Sequence, residues 1–220
     1  MAQKKQVKKV QKKKRWISII APKVFREIVI GESPVYDPKE MVGKKLKINL
    51  MTLIRDPKKQ NINITFLING VKGDSVVTEI HGYEMTHSSL KRMVKRRREK
   101  IDDSFVCKTK DDKIISIKPL IIPNGKINRS VATAIRNTAR YNVAKILQTK
   151  VFDELISELM SGRFQVKLKE EIKKVYPPRV IEIRKVNVEG KNKRPIKPED
   201  YQAKKKVVKK KVKKIQPQAA

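Results

Sequence analysis

Cationic side chains crowd one stretch of the sequence, Thr86 to Lys100 (THSSLKRMVKRRREK), where seven Lys and Arg residues meet a single acid, Glu99. Leu90, Met93 and Val94 fall at i, i+3 and i+4, so the spacing predicts one short helix with a narrow apolar stripe. Thr86 stands where a hydroxyl caps a first turn, and the Arg run would lie at the negative end of the helix dipole. On that helix Lys91, Lys95 and Arg98 project from one side, flanked by Arg92 and Arg96. Like charges at i,i+4 cost an isolated helix about 0.2–0.5 kcal/mol per pair, and a bound polyanion relieves that cost. A solvated helix face is the plainer alternative. The rest of the chain decides between the two.

Other chemistries find little support. His81 and His87 are the only histidines and are not spaced as a zinc pair. Cys107, the one cysteine, reads as a small hydrophobe on a strand, with nothing in the sequence to orient a nucleophilic dyad. Gly43-Lys44-Lys45 lacks the other residues of a phosphate loop. Gly70-Val71-Lys72-Gly73 matches by letter the loop that clamps a nucleotide backbone between two helices, yet strands flank it here, which favours a hairpin turn. No aromatic string of the RRM type occurs. The expectation is therefore no enzyme, no metal and no cofactor.

Charge points elsewhere. The chain has 220 residues and a formal net charge of +33. Lys4 to Arg15 (including Lys12, Lys13 and Lys14) and Lys204 to Lys214 carry eight cations apiece and no acid, which leaves +17 on the body between them. A body that basic repels itself and is commonly bound to a polyanion, above all nucleic acid. Further along, Arg129, Arg136 and Arg140 stand at i, i+7 and i+11 of a long helix and form a second basic face. With 5% aromatic residues, contacts from Lys and Arg to phosphate and 2′-OH fit better than base stacking as the main mode of recognition. A lone cysteine gives no sign of an oxidising compartment, no apolar run reaches membrane-span length, and the first arm resembles neither a secretory nor a mitochondrial leader. The expected location is cytoplasmic, with no membrane partner. A polybasic membrane-surface protein would need a broader apolar helix face than Leu90, Met93 and Val94 provide.

The elements that must position these cations follow from alternation and turn residues. Leu46, Ile48 and Leu50 alternate with polar residues as one strand, and Ile62, Ile64, Phe66 and Ile68 as a second. A third strand runs from about Ser75 to Tyr83, in a hairpin with the second. Ser104 to Thr109 and Ile114 to Ile122 predict another hairpin, with Pro119 at an edge or a bulge. Asn128 opens a helix to about Gln148. Phe152 to Met160 gives a further helix ended by Gly162, and Phe164, Leu168 and Ile172 a third, halted by Pro177-Pro178. The spacing leaves open whether the first two are continuous around Thr149. A last strand carries Ile181 and Ile183, with a slip in alternation near Lys185. The fold class expected is α+β: an antiparallel sheet or barrel with packed helices. Residues 1–15 and 191–220 read as disordered basic tails, and 16–190 as a single RNA-binding body. Strand order does not follow from the sequence.

Several strings resemble the archaeal and eukaryotic small-subunit ribosomal proteins of the S-one-e (also S-three-a) family. They are Lys14-Arg15-Trp16 with Ala21-Pro22-Lys23 and Phe25, Gly31-Glu32-Ser33-Pro34, His81-Gly82 with Thr86, and Leu90 with Met93-Val94. The most specific is Tyr176-Pro177-Pro178-Arg179-Val180-Ile181-Glu182-Ile183-Arg184-Lys185-Val186. The lack of a long eukaryotic-type extension resembles the archaeal form. The resemblance implies a structural, non-enzymatic constituent of the small subunit, on its platform near the mRNA exit. Its partners would be small-subunit rRNA and neighbouring platform proteins, with mRNA and initiation factors as further candidates. Arg179, Arg184 and Lys185 then join the candidate rRNA contacts. The alternative is a free RNA chaperone or a chromatin-type nucleic-acid binder.

Overall fold

Alternation in the sequence becomes strand wherever no local side-chain bond competes with it. The computed structural model describes residues 13–96, 99–190 and 195–196. In chain order the elements are β1 (Arg15–Ile20), β2 (Val29–Val35), β3 (Lys45–Asn49), α1 (Leu50–Ile54), β4 (Ile62–Lys72), β5 (Ser75–Met85) and α2 (His87–Met93). Then come β6 (Ile101–Asp102), β7 (Phe105–Lys108), β8 (Ile114–Pro123), α3 (Arg129–Gln148), α4 (Phe152–Ser161), α5 (Arg163–Lys173) and β9 (Pro178–Val188). The class is α+β, and the strands pair as an open sheet, not a barrel. Most of both predicted tails, Lys12 and Arg98 lie outside the described residues.

Two compact units share these elements. The first is built from residues up to Lys47 and from Phe66–Ile80. Here β1 lies between β2, which is antiparallel to it, and β5, which runs parallel with Ser18 opposite Ser75 and Ile20 opposite Val77. That parallel pair departs from the expected antiparallel sheet. Alternation fixes which face a strand buries but not its direction, and the long connection from β1 to β5 permits either. Ile17, Ile19, Val35, Met41, Ile68 and Val76 form the core, and the Phe25 and Phe66 rings meet edge to face at 5.6 Å. Gly73, at φ +60°, turns the chain from β4 into β5, so the Gly70–Gly73 string is a hairpin as expected.

The second unit comprises Ile48–Thr65 and the chain from His81 onward. The strand expected through Leu50 stops at Asn49, whose Oδ1 accepts a 2.9 Å hydrogen bond from the Met51 amide and so caps α1. A satisfied cap outcompetes continued alternation here. In the sheet β9 lies between β5 and β8, and β8 also pairs with β6 and β7. Gly82 sits so near β9 that a Cβ would lie 2.7 Å from Asn187 Oδ1 and 3.0 Å from the Val186 carbonyl, which explains the glycine.

Helices α3, α4 and α5 cover this unit's core with Ile135, Ala139, Val143 and Leu147, with Phe152, Leu155 and Leu159, and with Phe164, Leu168 and Ile172. The first two helices are separate. Thr149 closes α3, its hydroxyl donating to the Ile146 carbonyl at 2.8 Å, and Asp111 accepts from the Phe152 amide at 3.2 Å to start α4. Gly162, at φ +81°, ends α4 as expected. Asn128 occupies the N-cap position of α3 without a side-chain cap bond. Glu158 joins α4 to Lys150 and to Lys167 of α5. Its burial alone would raise the carboxyl pKa, but hydrogen bonds and charge from those two lysines outweigh it and hold the pKa below the ordinary value.

Candidate nucleic-acid interface

The basic stretch after β5 is shorter as a helix than its spacing suggests. Helix α2 ends at Met93, and Val94 is already extended at φ −83°, ψ 105°. Lys95 and Arg96 follow as exposed residues outside the helix. The predicted single helical face therefore breaks between Lys91 and Lys95, and Arg98 lies outside the described residues. Repulsion among like charges four apart, with no acid between them, disfavours another turn, and β-branched Val94 adds little to hold it. Thr86 is the N-cap residue by position, but its hydroxyl makes no cap bond. The predicted apolar stripe does hold: Leu90, Met93 and Val94 pack with Met85, Leu120, Ile122 and Val180.

That packing leaves a cleft of about 280 Å³ lined by His87, Leu90, Lys91, Val94, Lys100, Leu120 and Arg184. Leu90, Val94 and Leu120 are its apolar part. Lys100 pairs with Asp102, and Arg184 Nη1 lies 3.7 Å from the same carboxylate oxygen, Oδ2. Lys91 from α2 and Arg184 from β9, nearly a hundred residues apart, thus line one hollow.

Prolines set the position of the β9 arginines. Lys118 pairs with Lys185 but Pro119 with Ile183, so Arg184 is the extra residue of a bulge. Ile122 pairs with Val180 but Pro123 with Pro178, so Arg179 is the extra residue of a second. A proline has no N–H to donate to the ladder, and a bulge accommodates the missing bond. The slip expected near Lys185 and the irregularity at Pro119, for which the sequence left an edge or a bulge open, are one bulge. Lys118 and Lys185 also face each other across the ladder, a like-charge pair that an anion would stabilise, with Glu84 Oε1 3.7 Å from the Lys185 ammonium.

The remaining candidates are spread out. Arg92 donates to Asn61 Oδ1 at 3.2 Å. On α3, Arg129 is exposed and Arg136 half-buried, whereas Arg140 grips Asp103 with two hydrogen bonds of 2.6 and 2.7 Å. In the first unit Lys13, Lys14 and Arg15 are exposed at the start of β1. Sequence reasoning missed His87 and Lys100 as cationic-cleft residues. Their only signal was proximity to the Arg run, and the strand pairing that brings Arg184 to them was not legible.

Cys107 is buried on β7, and burial pushes its thiol up to about 12, which leaves it protonated and unreactive at neutral pH. Among the described residues no group of three or more His, Cys, Asp or Glu side chains could hold a metal ion, and no helix is long and apolar enough to cross a membrane.

Comparison with known proteins agrees with the resemblance carried by the sequence strings. The model of the Ribosomal S3Ae family matches residues 2–192. The small ribosomal subunit protein eS1 of Nanoarchaeum equitans is 34% identical over 182 residues, covering 83% of this chain and 92% of that protein. The proteins of the same name from Saccharolobus islandicus and Saccharolobus solfataricus are each 32% identical over 182 residues, covering 83% of this chain and 88% of theirs. By the extent of the family match and by these identities, the chain belongs to the Ribosomal S3Ae family, in its archaeal form.

Proposed function

We propose that this protein is a structural, non-enzymatic constituent of the cytoplasmic small ribosomal subunit and binds rRNA chiefly through phosphate contacts. Family membership supports the ribosomal role. The observation that carries the RNA contact is the cleft lined by Lys91, Lys100 and Arg184 from three segments, the last two of which share the Asp102 carboxylate. Cations held on a β-bulge and a short packed helix lose little entropy on meeting a backbone, and the +33 net charge supplies the long-range attraction. Lys95, Arg96, Arg98, Arg129, Arg136, Arg179 and Lys185 extend the contact surface, and the arm around Lys12 to Arg15 adds to it. A place on the platform near the mRNA exit, beside other ribosomal proteins and within reach of mRNA and initiation factors, is what the family likeness implies.

A salt series tests the contact. Lys91→Gln, Lys100→Gln and Arg184→Gln together should weaken binding to small-subunit rRNA. The log–log salt slope should become shallower by about 0.9 for each phosphate no longer neutralised, taking the duplex DNA value. A control removes the same charge elsewhere, with Lys209, Lys210 and Lys211 changed to Gln. Equal weakening and equal slopes for the two triple variants would reduce the cleft to a share of the general field. A tagged chain that fails to cosediment with small subunits would remove the ribosomal assignment.

A further inference from the structure

The first unit holds a second cleft, whose aromatic side chains the phosphate contacts leave without a role. It has a volume of about 440 Å³, and its lining includes Lys13 and Arg15 beside Trp16, Tyr36, Asp37 and Asp74. Clefts of roughly 300–1,000 Å³ are the size that takes small ligands. Trp16 is the chain's sole tryptophan, and it is 69% exposed on a strand whose alternate residues, Ile17 and Ile19, are buried. Tryptophan is highly buried on average, so this exposure is unusual. Register sets Trp16 opposite Pro34 and Arg15 opposite Val35, which carries Tyr36 along at the end of β2. Tyr36 is itself 46% exposed, and the Lys14 ammonium lies 5.4 Å from its ring centroid.

We propose that this cleft docks one unpaired nucleobase of RNA, a claim that rests on the reading of the chain as an RNA-binding protein. The indole offers a face on which a base stacks. Lys13, Lys14 and Arg15, consecutive and exposed, stand where the flanking phosphates run. The Asp74 carboxylate accepts N–H donors from the edge of the base, while Lys13 and Arg15 at the cleft wall meet the flanking phosphates. Guanine presents two adjacent donors to one carboxylate, whereas uracil has one, and the preferred base is guanine. A duplex keeps its bases stacked and cannot fill the site. A proline-rich peptide also packs on aromatic faces, but it carries no charge to answer the three cations.

Because Trp16 is the only tryptophan, intrinsic emission of the full chain reports on this cleft alone. The probes are a single-stranded RNA hexanucleotide with a central guanine, the same strand with an abasic site there, and a duplex of equal length. Binding of each is followed separately by the anisotropy of an RNA label. The guanine strand should quench Trp16, and the abasic strand and duplex should bind without quenching. Trp16→Leu should weaken the guanine strand about ten-fold, on the order of one stacked base, and leave the abasic strand unchanged. Tyr36→Leu keeps the reporter and should reduce the quench, which covers the case of a poorly folded Trp16 variant. Equal quenching by guanine and abasic strands overturns the proposal, as does quenching by a proline-rich peptide but not by RNA. Binding of all three RNAs with no quench overturns the base site while general RNA binding stands. If no RNA binds, both readings fall.

Discussion

Asp102 and Asp103 are adjacent in the sequence and hold their cations in opposite ways. Asp103 is nearly buried, with 8% of its side chain exposed, and takes the Arg140 guanidinium in a two-bonded fork. Asp102 meets Lys100 and Arg184 through one oxygen at the edge of a cleft, and its Oδ1 has no hydrogen-bond partner among the described residues. The first arrangement uses the geometry of arginine to close a tertiary contact between α3 and the segment between β6 and β7. The second gathers cations without satisfying them. Basic residues in a ribosomal-type sequence thus divide into those that tie the protein together and those that remain to meet a polyanion. Composition does not distinguish them.

The largest expected effect breaks the closed pair. Arg140→Met leaves the Asp103 carboxylate poorly solvated and unpaired, which should cost about 2–3 kcal/mol, less than a fully buried pair because the guanidinium is partly exposed. For a chain of this size the thermal midpoint should fall by roughly 4–10 °C, while affinity for rRNA at low temperature stays the same. A stable variant with weakened RNA binding would move Arg140 to the other class. Next in size, Arg184→Gln should shift urea-denaturation stability by less than about 0.5 kcal/mol, as expected for a half-exposed pair at 3.7 Å. It should nevertheless lower rRNA affinity and flatten the salt dependence. If stability drops by several kcal/mol instead, the bulge arginine is a structural tie. The smallest effect has the opposite sign. Asp102→Asn removes the carboxylate that Lys100 and Arg184 share, so low-salt filter binding should show tighter rRNA association, by less than about 1 kcal/mol. Weaker association would mean that Asp102 positions those cations for RNA, and the contrast with Asp103 would narrow.

Much of the fold was legible because burial has a period. Phe164, Leu168 and Ile172 read as a helix face and are one, and Ile62 to Ile68 read as a half-buried strand and are one. The misses share a cause. At Asn49 and Val94 a local event ended an element whose hydrophobic pattern ran on, in one case a side-chain cap and in the other repulsion among cations. On α3 the large Val131 and Ile146 are only half-buried while Ala132, Ala139 and Val143 are buried, since small residues that let helices approach closely carry a weak hydrophobic signal. The candidate cleft was half legible. Lys91 and Arg184 were identified singly, but their meeting depends on β9 pairing with β8, a long-range fact with no local trace.

That pairing also bears on the order in which the second unit can be completed. The strand between β5 and β8, β9, is the last one among the described residues, so Gly82 and Asn187 become neighbours only after the intervening hundred-odd residues have been synthesised. A ribosome translating this chain would hold β5 and β8 with unpaired edges until Pro178 to Val188 emerges from the exit tunnel. Such edges invite association with other chains, and contacts of high sequence separation form slowly. Arg184 arrives on the strand that closes the gap, so the cationic cleft and the completed sheet appear in a single event. An unfinished chain then lacks the assembled cleft.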